Sequence, residues 1–237
     1  MGHDLEAPFE AEKLASATLY RARGQEVVDV RPVFTGDVYD NVPLEGPNGD
    51  PRSRTVLVLQ HPCAMRVDGV NLAGKLLVAE VGNRAPLGEE AWQGNYTVMP
   101  LPDLRPDVTT GRRHQAANFD KLHLVKPVDL VDRVACLSPV GVNLLLQRWI
   151  HHSSRFVVPS WQLHQTIEGE YEEADLVEDW CLERGGPDPL AAAKECVDWL
   201  RDTTQEPTRQ ELLKEPQRRS PIRSEMRAEL RRLRDQS

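Results

Sequence analysis

The spacing of apolar positions changes several times along the chain, and each change predicts a different element. Over "AEKLASATLYRARG", residues 11–24, Leu14, Leu19 and the alanines between them form one modest apolar face. This predicts a first helix ending at Gly24, where a left-handed residue suits a helix C-terminus. Beyond it the period becomes two. "QEVVDVRPVF", "GDVYDNVPL", "TVLVLQ", "KLLVAEV", "NYTVMPL" and "FDKLHLVKPV" read as short strands, and "EGPNGDPRS" reads as a loop because Gly, Pro, Asn and Asp crowd it. "GNRAPLGEEAWQG" and "PDLRPDVTTGRRHQ" read as polar loops. Short strands at such spacing predict a small, strongly bent antiparallel sheet or barrel.

The period then lengthens. "LSPVGVNLLLQRWI" predicts a helix with Ser138 as N-cap and Pro139 at its first position, where a missing N–H costs nothing. Its apolar run, Leu144 to Leu146 with Trp149 and Ile150, is too rich for a lone surface helix, so it should cap the sheet or a partner. "HHSSRFVVPSWQLHQ" reads as a strand or extended arm. After it come two helices of a hairpin, one ended by Gly185 and Gly186, the other opened by Asp188 and Pro189. "QEPTRQELLKEPQRRSP" reads as a linker with a helical turn. The tail helix is predicted to start at Ser220 and Pro221, with Ile222, Met226, Leu230 and Leu233 in one thin stripe that either docks on its own domain or meets a partner helix. The organisation expected is therefore an N-terminal helix over 1–24 packed on the main domain, a barrel-like domain with its capping helix over 25–165, and a helical extension over 166–237. The fold class is mainly β with helical additions (α+β).

Charge sharpens this division. The net charge of −8 is not spread evenly. Residues 17–165 carry 16 Lys and Arg against 15 Asp and Glu, residues 166–206 carry three against 13, and residues 207–237 carry nine against five. A local acidic segment leaves room for a neutral or basic groove elsewhere. No apolar run reaches the roughly 20 residues of a membrane span, and "MGHDLEAPFEAEK" has no apolar core segment of a signal peptide. A cytoplasmic protein with no membrane partner is expected. Cys63, Cys136, Cys181 and Cys196 form no C-x-x-C pair and read as free thiols. The adjacent His151 and His152 lack a carboxylate or thiol at metal-ligand spacing, so no metal site and no cofactor is expected.

In order, "GDVYDNV", a Gly/Pro loop, "SRTVLVLQ", "LLVAEV" and "FDKLHLVKPVDLVDRVACLSPVGVNLLLQRWI" resemble the MazF/PemK family of toxin endoribonucleases over roughly residues 33–150. Phe119 to His123 and Leu137-Ser138-Pro139 carry the most specific part of that likeness. The resemblance implies an SH3-like barrel, a homodimer, and metal-independent cleavage of single-stranded RNA in a toxin–antitoxin or related stress or defence setting. In such chemistry the RNA 2′-hydroxyl attacks phosphorus, so the protein must take one proton, give another to the leaving 5′-oxygen, and steady added negative charge. The family's arginine at the loop-to-strand junction falls on Arg54, with Arg52 as the neighbouring alternative.

The chain departs from the family in two places. The family's Arg-Pro reads Arg54-Thr55, and the hydroxyl residue that closes the "P-I-T" strand reads Gly82. Losing one positioned donor typically costs about 2.7–4 kcal/mol of transition-state stabilisation. Either another group substitutes or cleavage is lost. Glu80 is the candidate replacement base. His61 is a candidate acid or base, although a flat strand would set it roughly 23 Å from Arg54 at ~3.3 Å per residue; His114 and His123 read first as packing residues. Arg84, Arg112 and Arg113 lie in polar loops and are the candidate RNA-phosphate contacts. The competing class is a non-catalytic protein- or nucleic-acid-binding module on the same barrel, with the C-terminal helices as a partner-binding element, through residues 207–237, or an autoinhibitory one. A third reading combines the two and lays the acidic segment 166–206 over the nucleic-acid groove as a mimic of RNA charge.

Overall fold

The computed structural model describes residues 5–10, 13–14, 16–46, 49–68, 71–106 and 114–236. The chain divides into two compact units: Met1–Val27, Phe34–Met65 and Leu72–Gln165 form one, and Val28–Val33, Arg66–Asn71 and Thr166–Ser237 form the other.

In the first unit, β1 (Phe9–Glu10) and β2 (Lys13–Leu14) pair with each other, a single turn α1 (Ser16–Leu19) follows, and the chain extends again as β3 (Tyr20–Arg23). Among the described residues, the helix expected over 11–24 is thus reduced to Ser16–Leu19. Its C-terminal part is pulled straight by pairing: Tyr20, Ala22 and Arg23 lie opposite Leu137, Cys136 and Ala135. Gly24 does adopt the left-handed conformation, at φ +57°, but within a 3-10 turn. The strand expected over 25–34 does not form.

The remaining strands are β4 (Val38–Glu45), β5 (Pro51–Val58) and β6 (Leu76–Asn83). A short helix α2 (Glu89–Gly94) occupies one expected loop and precedes β7 (Val98–Leu101), β8 (Gln115–Val125) and β9 (Asp132–Leu137). All pair antiparallel in one seven-stranded sheet ordered β3-β9-β4-β5-β6-β8-β7. The molecule is accordingly α+β. Of the bent sheet or barrel that strand spacing predicts, the described residues form the sheet: its backbone ladder is open, with β3 and β7 as edges. Side chains bridge the gap: Tyr20 Oη donates to the Pro102 carbonyl and Arg23 to that of Asp103, both at 2.9 Å.

The residues "GD" before β4 have a packing reason. Gly36 has φ +87°, and a Cβ there would stand 2.9 Å from the Leu137 side chain. Asp37 is buried, accepts from the Phe34 N–H at 2.9 Å and faces Arg133 Nε at 3.3 Å. Arg133 also donates to Tyr39 Oη. Burial opposes the Arg133 charge, but Asp37 and Tyr39 outweigh it and hold its pKa above the usual arginine value.

Ser138 and Pro139 open α3 (Pro139–Ser154) as expected: Ser138 Oγ accepts from the Gly141 N–H at 3.1 Å. Leu144, Leu145 and Leu146 are buried as the helix packs on α1, β7 and β9. Of the strand or arm expected over 151–165, residues 155–159 are non-helical and the rest is helix, because α3 continues to Ser154 and α4 (Ser160–Arg184) starts directly after them.

The second unit is helical: the larger part of α4, then α5 (Pro189–Leu200), α6 (Arg209–Leu212) and α7 (Pro216–Asp235). Asp188 caps α5 by accepting from Leu190 and Ala191. The last helix begins at Pro216, earlier than expected, and carries Pro221 inside it. Its stripe is not left open: Ile222, Met226 and Leu230 are buried with Leu176, Trp180, Val197 and Leu200. The acidic segment is matched by arginines of the same unit. Arg223 meets Glu172 at 2.8 Å and Asp179 at 2.9 Å, Arg219 meets Glu168, and Arg31 meets Asp175 and Glu178. Trp180 is fully buried, whereas Trp161 is mostly exposed. Among the described residues, no helix is long and apolar enough to cross a membrane.

Candidate active site

Two irregularities in the sheet shape the candidate site. Between β4 and β5 the register runs from Tyr39↔Val56 to Val42↔Arg54, so Asp40 and Asn41 share one opposing residue, Thr55. Asn41 absorbs the bulge in a left-handed conformation, at φ +56°. Its amide donates to Asp132 at 2.8 Å. Between β6 and β8 the register runs from Ala79↔Leu122 to Glu80↔Asn118, so residues 119–121 are left over on β8. Next to these irregularities lies a cavity of about 670 Å³, lined among others by Asp40, Arg54, Thr55, Glu80, Gly82 and Arg105. Its size is in the range of small-ligand sites.

Neighbours on a strand point to opposite faces, so Arg54 and Thr55 serve different clusters. Thr55 donates its hydroxyl proton to Asp40 at 2.7 Å, and Arg105 donates to the same carboxylate at 2.6 Å. The hydrogen bond to Asp40 outweighs burial and holds the Arg105 pKa above the usual arginine value. This group is internally satisfied, and it holds the loop after β7 against β4 and β5. The sequence offered a partial signal for it in the Asp-Asn pair within an otherwise alternating strand.

Arg54 and Glu80 form the other cluster. Val56 lies opposite Glu80, so Arg54, two residues earlier on the same face, reaches it diagonally, with Nε 3.5 Å from Oε1. Lys121 Nζ stands 3.9 Å from that same oxygen, and His123 Nε2 stands 3.9 Å from Oε2. The side chains of Arg54, Glu80, Lys121 and His123 are 40%, 22%, 58% and 30% exposed, so solvent and a substrate can reach all four. Two cations around one carboxylate leave an excess of positive charge, which favours an anionic ligand. At Gly82 an added Cβ would meet nothing within 4 Å.

The structure therefore brings Arg54, Glu80 and Gly82 to one cavity. His61 lies past the other end of β5, where its Nδ1 accepts from the Cys63 N–H at 3.3 Å and caps the turn Pro62–Ala64. Arg52 lies on β5 opposite Leu44 and outside the cavity lining. Arg84 donates its backbone N–H to His114 and also lies outside the lining. Arg112 and Arg113 fall outside the described residues. Trp92 is buried under the Arg148 guanidinium and is closed to base stacking. His151 packs edge-on against Tyr96, and His152 stacks on Trp149. Lys121 and His123 also lie outside the cavity lining, on the side of Glu80 away from it in sequence pairing, and only the β6–β8 register places them beside that carboxylate.

Neither a comparison with protein-family models nor one with curated protein sequences yields a match. The functional reading therefore rests on the site itself.

Proposed function

We propose that the first unit is an SH3-like domain of the MazF/PemK type, its open sheet curled toward a barrel, and that it cleaves single-stranded RNA by metal-independent transesterification. The observation that carries this reading is the Arg54–Glu80 contact at 3.5 Å on a cavity with room for a nucleotide-sized group. Arg54 supplies a fixed guanidinium for phosphoryl oxygens, and Glu80 supplies a carboxylate that accepts the 2′-hydroxyl proton. A homodimer in the cytoplasm, in a toxin–antitoxin or related stress or defence setting, is the biological context this reading implies.

The test is incubation of the full chain with a mixed pool of unstructured RNA in EDTA, alongside Arg54→Ala. Cuts ending in 2′,3′-cyclic phosphate and 5′-hydroxyl, lost in the variant, are the expected result. RNA left intact by the unmodified chain overturns the proposal and favours a binding module, a reading to which the missing hydroxyl at Gly82 lends weight.

A further inference from the structure

Resting on the ribonuclease reading, we propose that His123 is the general acid of the reaction and that Lys121 joins Arg54 in holding the scissile phosphate, so that Glu80 and His123 together take over the duties of the absent hydroxyl. The chemistry needs a base, an acid and cations within one phosphate's reach, and the β6–β8 irregularity assembles all of them around one carboxylate. Arg54 and Lys121 stand on one oxygen of Glu80, and His123 stands on the other. The separations of 3.5–3.9 Å exceed hydrogen-bond length, so the carboxylate is flanked by these groups but not capped by them.

Thr55 is the obvious rival for the missing hydroxyl, and its geometry argues against it. Thr55 lines the same cavity as Arg54, but its proton is committed to Asp40, the carboxylate that Arg105 also holds.

The step balances without a further reactant. Glu80 takes the proton of the 2′-hydroxyl as the 2′-oxygen forms its bond to phosphorus. The bond from phosphorus to the 5′-oxygen breaks, and the imidazolium of His123 gives its Nε2 proton to that leaving oxygen. The products are a 2′,3′-cyclic phosphate, a 5′-hydroxyl, neutral His123 and protonated Glu80. Solvent exchange restores the last two. The charged group set against His123 is Glu80 from β6, whose other oxygen is approached by Arg54 from β5 and by Lys121 from the strand of His123 itself.

The experiment uses the full chain and an oligoribonucleotide carrying the mapped cut site in two forms, one natural and one with sulfur in place of the bridging 5′-oxygen. A thiolate leaves without protonation, so the sulfur form needs no acid. On the natural form His123→Gln should lose about 10²–10⁴-fold in rate, the usual worth of a positioned acid, while on the sulfur form it should match the unmodified protein. Glu80→Gln should be slow on both. In the unmodified protein, the alkaline fall of the pH–rate profile should be present on the natural form and absent on the sulfur form, a readout that requires no variant to fold. Equal rates for His123→Gln and the unmodified chain on the natural form, or an alkaline limb unchanged by sulfur, overturn the role of His123 while leaving the ribonuclease reading intact. No cleavage by the unmodified chain overturns that reading and the acid's role with it.

Discussion

Glu6 ties the start of the described chain to the end of the first unit. Its carboxylate accepts from the Ser160 N–H at 2.8 Å and from Gln147 at 3.0 Å, and the Arg148 guanidinium donates to its carbonyl at 2.7 Å. Burial pushes the Glu6 carboxyl up, but the bonds from Ser160 and Gln147, with Arg148 nearby, outweigh this and hold it below the usual value. A depressed carboxylate adds stability that is fully present above its unfolded-state pKa and is lost as the pH falls through the folded value. Glu6→Gln should therefore melt below the unmodified protein at pH 7, with the gap narrowing as the pH is lowered past about 4.3, the ordinary glutamate value. Thermal melts across that range check this, and a gap independent of pH refutes it. At this scale the sequence was partly legible. Arg54 stood out by type and position, and Glu80 by its place before Gly82. His123 did not, since a histidine in an alternating strand carries no mark of its cross-strand neighbours.

Among elements, α3 was the most legible, because an N-cap serine, a proline and an apolar run are local signals. Its Gly141 was not, and it marks where tertiary packing overrides propensity. A Cβ at Gly141 would stand 2.3 Å from the Leu19 carbonyl oxygen, which itself accepts the Ser138 N–H at 2.9 Å. Helix propensity favours alanine over glycine by about 1 kcal/mol. Gly141→Ala should nevertheless destabilise by about 1–3 kcal/mol, the usual cost of overpacking, because a backbone carbonyl cannot turn aside as a side chain can. Urea unfolding decides the sign, and a stabilised variant would refute the contact. The helix expected over 11–24 fails for the converse reason: a locally helical pattern loses Tyr20–Arg23 to the pairing of β3 with β9.

For the whole molecule, the division into units does not follow a single cut in the chain. Residues 28–33 and 66–71 belong with the C-terminal helices. Arg31, buried, holds Glu178 at 2.9 Å and Asp175, and lies over the Tyr171 ring. A chain ended at residue 165 would lose every one of these partners and strand a guanidinium built for burial. It should unfold at lower urea than the full chain. Arg31→Ala in the full chain should destabilise by about 3–5 kcal/mol, the cost of breaking a buried pair. A 1–165 fragment as stable as the full chain would refute the role assigned to these segments.

Local physics determined much of this protein from sequence alone: most strands, the capped starts of α3 and α5, the apolar stripe of α7, and the concentration of acid over 166–206. Those features depend on neighbours within a few residues, where sterics and capping act. Tertiary structure decided the rest. It opened the sheet instead of closing its ladder, matched the acidic segment with the arginines of its own unit, and set His123 and Lys121 around Glu80. Each of these depends on which distant residues share a register or a core, and a bulge of a few residues changes that register without leaving a periodic trace in the chain.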